Sequence, residues 1–92
     1  MQYLVGDIGN TLTKITLLNS KFKIIKSKSI DSQKLYKKNY LFIFFKSFFV
    51  SNLNSKILFS SVVPSVYKSI KFYLKKKGYK SYEIKELKVN KI

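Results

Sequence analysis

The chain has 92 residues and a formal charge of +15, from 19 lysines and no arginine against four acidic residues. Cysteine, histidine, tryptophan and alanine are absent. Disulfide scaffolds, zinc sites built on Cys or His, and catalytic triads that need a histidine are therefore excluded. The length suits one small domain, and any metal ion would have to be held by oxygen ligands.

The lysine excess is explained by composition more simply than by function. Residues with G- and C-rich codons (Ala, Arg, Gly and Pro) are scarce or absent, whereas Lys, Phe, Tyr, Ile, Ser and Asn are abundant. An AT-rich coding sequence raises the lysine content without selecting a basic surface. Nucleic-acid interfaces use arginine for bidentate contacts. The sequence therefore predicts non-specific attraction to polyanions and no specific nucleic-acid partner.

The first thirty residues predict an antiparallel meander of three strands. Residues 3–5 are a short apolar run, typical of a buried strand. Residues 12–18 alternate between apolar and polar side chains, and the same alternation continues in residues 22–30. Turn-forming residues at 9–10 and 19–20 join the three strands.

Residues 33–49 predict a single helix, capped by Asp31 or Ser32. Its apolar run, residues 40–50, has eleven residues, far fewer than the roughly 20 that cross a bilayer. We therefore expect a buried helix and no membrane partner, with a helix on a membrane surface as the alternative. An aromatic cluster in this helix is expected to lie in the core or to face a partner: Phe42, Phe44, Phe45, Phe48 and Phe49.

The second half predicts a strand, a helix and a last strand. Residues 57–59 form the strand, and Pro64 suits the first turn of the helix, which Gly78 would end. Residues 82–85 alternate again. The order β-β-β-α-β-α-β predicts an α/β fold: a ribonuclease-H-like half domain with three antiparallel strands, then parallel strands joined through helices. Residues 1–92 are expected to form one such half domain, incomplete as it stands.

The most informative segment is DIGNT, from Asp7 to Thr11, between the first two strands. Asp7 follows a buried strand and could hold a hydrated Mg²⁺. Gly9 would let a phosphate approach the backbone closely and could adopt a positive φ. The backbone N–H groups of Asn10 and Thr11, with the Thr11 hydroxyl, could hold phosphate oxygens. An ordinary hairpin turn is the alternative.

Two further features extend this candidate site. Lys14 lies three residues beyond Thr11 and would add positive charge. Residues 60–64, SSVVP, follow the fourth strand and enter the second helix. The remaining carboxylates are interpreted as surface charges rather than catalytic bases: Asp31, Glu83 and Glu86.

Together DIGNT and SSVVP resemble the type III pantothenate kinases, whose N-terminal half carries an Asp-x-Gly-Asn-Thr phosphate loop and then a Ser-Ser-Val-Val-Pro segment. The wider resemblance is to the superfamily of acetate and sugar kinases, heat-shock ATPases and actin. It implies a cytoplasmic enzyme that uses ATP to phosphorylate pantothenate to 4′-phosphopantothenate, the first step of coenzyme A biosynthesis. It also implies Mg²⁺, a monovalent cation (K⁺ or NH₄⁺), and either a homodimer or a missing C-terminal half as partner.

The resemblance implies an ATP-phosphate site with Asp7 as the metal ligand, made of Asp7, Ile8, Gly9, Asn10, Thr11, Leu12, Thr13 and Lys14. The role of Lys14 is an electrostatic inference, and residues 60–64 are expected only to border the cleft. The family's Gly-Ala-Asp-Arg segment, which carries its catalytic Asp, is absent. No catalytic residue is therefore assigned, and the chain alone is expected to be inactive. The alternatives are a non-catalytic remnant or interaction module that binds nucleotide or phosphate weakly, and a basic, non-specific nucleic-acid binder.

Overall fold

The structure, a computed structural model, describes residues 2–48 and 55–84. The strands are β1 (Gln2–Ile8), β2 (Leu12–Leu18), β3 (Ile24–Asp31), β4 (Ser55–Ser61) and β5 (Tyr82–Glu83). The helices are a 3₁₀ helix (Ser32–Tyr36), α1 (Lys38–Lys46) and α2 (Pro64–Lys76).

The five strands form one sheet in the order β3-β2-β1-β4-β5. The first three strands pair antiparallel, and β4 and β5 continue the sheet in parallel. The predicted α/β fold, with three antiparallel strands followed by parallel ones, is confirmed.

The first strand is longer than the sequence predicted. It runs through Gly6 and Asp7 to Ile8 because it is paired on both sides, with β2 and with β4, along this length. The last strand is shorter than the predicted residues 82–85: it covers only Tyr82–Glu83. Ile84 lies beyond its end, and Lys85 is outside the described residues. The second strand, β2, has the predicted bounds.

The prediction of one helix over residues 33–49 is wrong. The 3₁₀ helix ends at Tyr36, and Lys37 is extended (φ −102°, ψ 131°) before α1 begins. The 3₁₀ turn is held from α2, since the Ser69 hydroxyl donates to the Leu35 carbonyl at 2.7 Å. The chain therefore has to change direction at Lys37 to bring α1 onto the sheet. Asp31 is the predicted cap, and its carboxylate accepts the backbone N–H of Gln33 at 3.1 Å.

The core lies between the helices and one face of the sheet, which we call the inner face. Three phenylalanines of the predicted aromatic cluster are buried there, whereas Phe42 is 47% exposed and Phe49 is outside the described residues. Lys26 and Lys28 of β3 lie over the rings of Phe48 and Phe44, each 6.0 Å from the centroid. The buried apolar side chains include Leu4, Ile8, Ile15, Leu35, Leu41, Phe44, Phe45, Phe48, Ile57, Phe59, Val66, Ile70 and Leu74.

The ends of α2 confirm the two signals read from the sequence. Pro64 opens the helix, where a missing N–H costs nothing. Gly78 follows the helix with a φ of 89°, and the N–H of Tyr79 donates back to the Leu74 carbonyl at 2.9 Å, as in a Schellman motif. Within residues 2–48 and 55–84, no helix has both the length and the apolar character needed to cross a membrane.

Candidate functional site

The loop between β1 and β2 is a tight hairpin turn. The N–H of Gly9 donates to the Leu12 carbonyl at 2.9 Å, which leaves Asn10 and Thr11 as the two residues at the tip. Both are exposed. Within the described ranges, no hydrogen bond engages their backbone N–H groups or the Thr11 hydroxyl. With respect to the rest of residues 2–48 and 55–84, the tip therefore has three donors without a partner.

Gly9 does not have the positive φ that the sequence suggested. Among residues 2–48 and 55–84, a positive φ is found only at Phe22 and Gly78. A Cβ on Gly9 would instead lie 3.0 Å from the Leu12 carbonyl oxygen, closer than side chains normally come to backbone. A glycine is favoured here because the two arms of the hairpin approach each other closely.

Asp7 and Lys14 lie on the outer face of the sheet, opposite the helices. They are directly paired across β1 and β2, and both are exposed. Ser60 of β4 pairs with Asp7 on its other side, and Ser29 pairs with Lys14. Neighbouring positions of this kind have Cβ atoms about 5 Å apart. Neither the Asp7 carboxylate nor the Lys14 ammonium forms an ion pair in the described part of the chain, so both charges remain free.

Other members of the predicted set point elsewhere. Ile8 and Thr13 are paired across the hairpin and completely buried on the inner face, so only their backbone could reach a ligand. Leu12 is 57% exposed beside the tip. Of the eight residues predicted between 7 and 14, the structure therefore brings together the charges of Asp7 and Lys14 and the donors of the tip, and it turns two side chains inward.

The second motif, SSVVP, begins at the end of β4, where Ser60 lies beside Asp7 of β1. The N–H of Val62 donates to the Ile8 carbonyl at 3.1 Å, which extends the pairing of β4 with β1 beyond the strand. The buried hydroxyl of Ser61 accepts the N–H of Val63 at 3.0 Å and shapes the turn into α2. The sequence predicts only that residues 60–64 border the cleft; the position of Ser60 directly beside Asp7 follows from the parallel pairing of β1 with β4.

Ser32 is a second residue that sequence reasoning missed in this role. It was considered only as a helix cap, yet its hydroxyl lies under the hairpin loop. The Ser32 Oγ donates to the Gly9 carbonyl at 2.7 Å and lies 2.8 Å from the Oγ1 of Thr13. Its backbone N–H donates to the Thr11 carbonyl at 2.9 Å. Ser32, 23 positions along the chain from Gly9, thus anchors the hairpin from the inner side of the sheet.

The carboxylates nearby allow only a simple metal site. Among the described residues, no group of three or more acidic side chains comes together. Asp31 caps the 3₁₀ helix, Glu83 lies in β5, and Glu86 is outside the described residues. A single exposed carboxylate nevertheless fits Mg²⁺, which keeps several waters and takes one or two carboxylates together with substrate phosphates. Asp7 is the residue that could hold it.

An apolar groove lies on the other side of the molecule. It has a volume of about 500 Å³ and runs between α1 and α2. None of residues 7–14 lines it, so it is not part of the candidate site. Its lining combines aromatic and lysine side chains, including Tyr36, Phe42, Phe72, Tyr73, Lys76 and Lys77.

Comparison with known proteins gives a family match and a fold match. A profile of the type III pantothenate kinases matches residues 3–90. A type III pantothenate kinase of Pelagibacter ubique (strain HTCC1062) is 40% identical over 94 aligned positions, which cover 97% of this chain and 36% of that protein. The chain thus spans about a third of the length of the curated relative it matches.

Two solved structures are also similar. A ROK family protein from Streptococcus pneumoniae TIGR4, solved with sucrose, gives a TM-score of 0.58 at 18% identity, over 90% of this chain and 34% of that one. The PPX-GPPA enzyme of Aquifex aeolicus gives a TM-score of 0.47 at 13% identity, over 91% and 36%. The first of these similarities supports the fold alone.

Proposed function

The chain belongs to the type III pantothenate kinase family, and on that premise we propose that residues 7–14 hold the phosphates of ATP for the phosphorylation of pantothenate to 4′-phosphopantothenate. This reaction is the first step of coenzyme A biosynthesis. One observation carries the proposal for this segment. The unpartnered N–H groups of Asn10 and Thr11 lie at the hairpin tip, close in sequence to the free carboxylate of Asp7.

The donors at the tip suit an anionic oxygen. Consecutive backbone N–H groups form concave sites for phosphate, and hydrogen bonds to a charged acceptor are stronger than neutral ones. The Thr11 hydroxyl adds a third donor. Because none of the three is engaged within the described residues, no bond within this part of the chain has to break when a phosphate binds.

Asp7 and Lys14 supply the charges of the proposed site. Asp7 would hold Mg²⁺, and the bound ion would neutralise phosphate charge and help to orient the phosphoryl group. Lys14, directly across from Asp7, would attract the same phosphates. A monovalent cation, K⁺ or NH₄⁺, belongs to the proposal through the family resemblance, and no residue of this segment is assigned to it.

We further propose that the 92-residue chain binds ATP without turning over pantothenate. The resemblance assigns the catalytic Asp to a Gly-Ala-Asp-Arg segment, and these 92 residues contain no such segment. Phosphoryl transfer needs base, metal and phosphate ligands assembled together. The proposed partner that would supply this segment is a complementary C-terminal half. A homodimer is proposed from the family resemblance alone, since a second copy of these residues would not supply the segment. A cytoplasmic location is proposed because both substrates are water-soluble metabolites.

Calorimetric titration with Mg·ATP tests this function. We expect binding by the unsubstituted chain and at least about tenfold weaker binding by Asp7→Ala, since tenfold corresponds to roughly 1.4 kcal/mol. Glu83→Gln is the control, because it removes the same charge from β5, two strands away and on the opposite face of the sheet from Asp7, and its affinity should be unchanged. Equal affinities for Asp7→Ala and the control would refute the role of Asp7. A measurable rate of pantothenate phosphorylation would refute the proposal of an inactive segment.

The same titrations separate the alternatives. A non-catalytic remnant without nucleotide affinity would give no heat with Mg·ATP at any concentration tested. A basic nucleic-acid binder would bind single-stranded DNA with an affinity that falls steeply with salt, and Mg·ATP would not compete with the DNA. Binding of Mg·ATP that depends on Asp7 and is indifferent to added DNA supports the kinase-derived loop.

A further inference from the structure

Ser32 joins the start of the 3₁₀ helix to the hairpin loop through three hydrogen bonds. Its side chain is 1% exposed. Its hydroxyl donates to the Gly9 carbonyl, so its only proton is used there. The short contact to Thr13 Oγ1 must then be donated by the Thr13 hydroxyl, which is also fully buried. Ser32 is thus a donor to the loop and an acceptor from β2.

The bond to Gly9 has a directional consequence for Asn10. A trans peptide group is planar, and its C=O and N–H point in opposite directions. The Gly9 carbonyl and the Asn10 N–H belong to the same peptide group, and no cis peptide is present in the described residues. Holding the carbonyl on the buried Ser32 hydroxyl therefore fixes the Asn10 N–H to point away from the interior, where a ligand can reach it.

We propose that Ser32 is a positioning residue of the phosphate loop: it aims the Asn10 N–H at a bound phosphate group by holding the Gly9 carbonyl. The proposal rests on the proposed function and names a residue outside residues 7–14 as part of the same site. Ser32 does not touch the ligand. Without its hydroxyl, the peptide group between Gly9 and Asn10 could rotate, and binding would have to restore its orientation.

Two variants distinguish positioning from a structural role. Ser32→Ala removes both side-chain bonds. Thr13→Val removes the buried bond between Thr13 and Ser32 but leaves the bond from Ser32 to Gly9. Both variants lose a buried hydrogen bond and should unfold more easily. Ser27→Ala is the control, because it removes one hydroxyl of an exposed pair (Thr16 and Ser27, 3.2 Å apart) that joins β2 to β3 away from the loop.

Two measurements are made at a temperature where each variant is folded. Mg·ATP titration should show Ser32→Ala binding about tenfold more weakly and Ser27→Ala within about twofold of the unsubstituted chain, with Thr13→Val weakened clearly less than Ser32→Ala. In ¹⁵N-resolved NMR without nucleotide, the Asn10 amide should shift or broaden in Ser32→Ala only. If Ser32→Ala does not fold, Ser32→Cys, with a weaker donor of similar size, takes its place with a smaller loss of affinity.

The affinity measurement and the NMR measurement can each refute the positioning role independently. Equal weakening of affinity in Ser32→Ala and Thr13→Val would overturn the positioning role, because a loss shared by both is a structural effect. An unchanged Asn10 amide in Ser32→Ala would overturn it as well. If the unsubstituted chain does not bind Mg·ATP, the proposed function fails, yet the NMR comparison still decides whether Ser32 orients the peptide group between Gly9 and Asn10.

Discussion

Gly6 occupies a position where the core leaves no room for a side chain. It pairs with Phe59 across β1 and β4 and with Ile15 across β1 and β2. A Cβ built on Gly6 would lie 2.8 Å from the Cδ1 of Ile15 and even closer to the Phe59 ring. Phe59 and Ile15 are completely buried, and Phe59 also packs against Tyr67, with ring centroids 5.6 Å apart. Neither neighbour can move without disturbing the core.

We therefore expect Gly6→Ala to destabilise the fold. Overpacking a well-packed core costs about 1–3 kcal/mol. The lower backbone entropy of alanine in the unfolded chain offsets about 0.4–1 kcal/mol. The expected decrease is a large share of the total free energy of unfolding, which is about 5–14 kcal/mol for a chain of this length. Urea unfolding followed by circular dichroism should show this decrease as a lower midpoint at an unchanged m value.

A double-mutant cycle with Phe59→Leu tests the cause. The smaller side chain opens space next to Gly6 and by itself should cost about 1–2 kcal/mol, less than the 3–5 kcal/mol typical of Phe→Ala. If the clash with the ring is the reason, Gly6→Ala with Phe59→Leu should be more stable than the sum of the single changes by at least about 1 kcal/mol. Additive losses, or a Gly6→Ala protein as stable as the unsubstituted chain, would refute the steric explanation.

Two other predictions concern the end of α2 and the charge beside the loop. Gly78→Ala should lower the free energy of unfolding by about 1 kcal/mol, because alanine is strained at φ 89°. Urea unfolding will show it, and a neutral effect would contradict the C′ role. Lys14→Met should weaken Mg·ATP binding about threefold at low salt and less at high salt. Lys56→Met is its control on the same outer face, about 13 Å along β4 from Ser60, and an equal effect would indicate general attraction.

The elements predicted most accurately from the sequence are those determined by the residues within the element itself. The alternation in β2 reflects its single buried face, so its bounds are correct. Proline and glycine at the ends of α2 act through their own backbone preferences. The break at Lys37 could not be predicted in this way, because the sequence there is rich in helix-compatible residues and the break depends on contacts with α2. The need for glycine at Gly6 likewise depends on the side chain of Phe59, 53 positions later in the sequence.

The candidate site likewise has one part that local sequence predicts and another part that depends on how the strands pair. DIGNT identifies its own tip, since the donors and the carboxylate are neighbours in the chain. Ser32 and Ser60 belong to the same region only because β3 and β4 lie in register with the hairpin. The SSVVP motif places Ser60 near the cleft without assigning it a contact, and Ser32 is one of many serines in this chain, so neither position beside the hairpin could be derived before the strands were paired. Ser29, which pairs with Lys14 on the outer face, could not be assigned to this region from the sequence for the same reason.

The hydrogen bonds around the loop form a closed ring. Ser32 joins the hairpin to the 3₁₀ helix, Ser69 joins that helix to α2 at Leu35, and the segment before α2 returns through Val62 to Ile8, next to the loop where the ring began. The loop after β1 and the start of α2 are therefore joined by two separate routes, so the loss of one of these hydrogen bonds leaves the two sequence motifs connected through the other route.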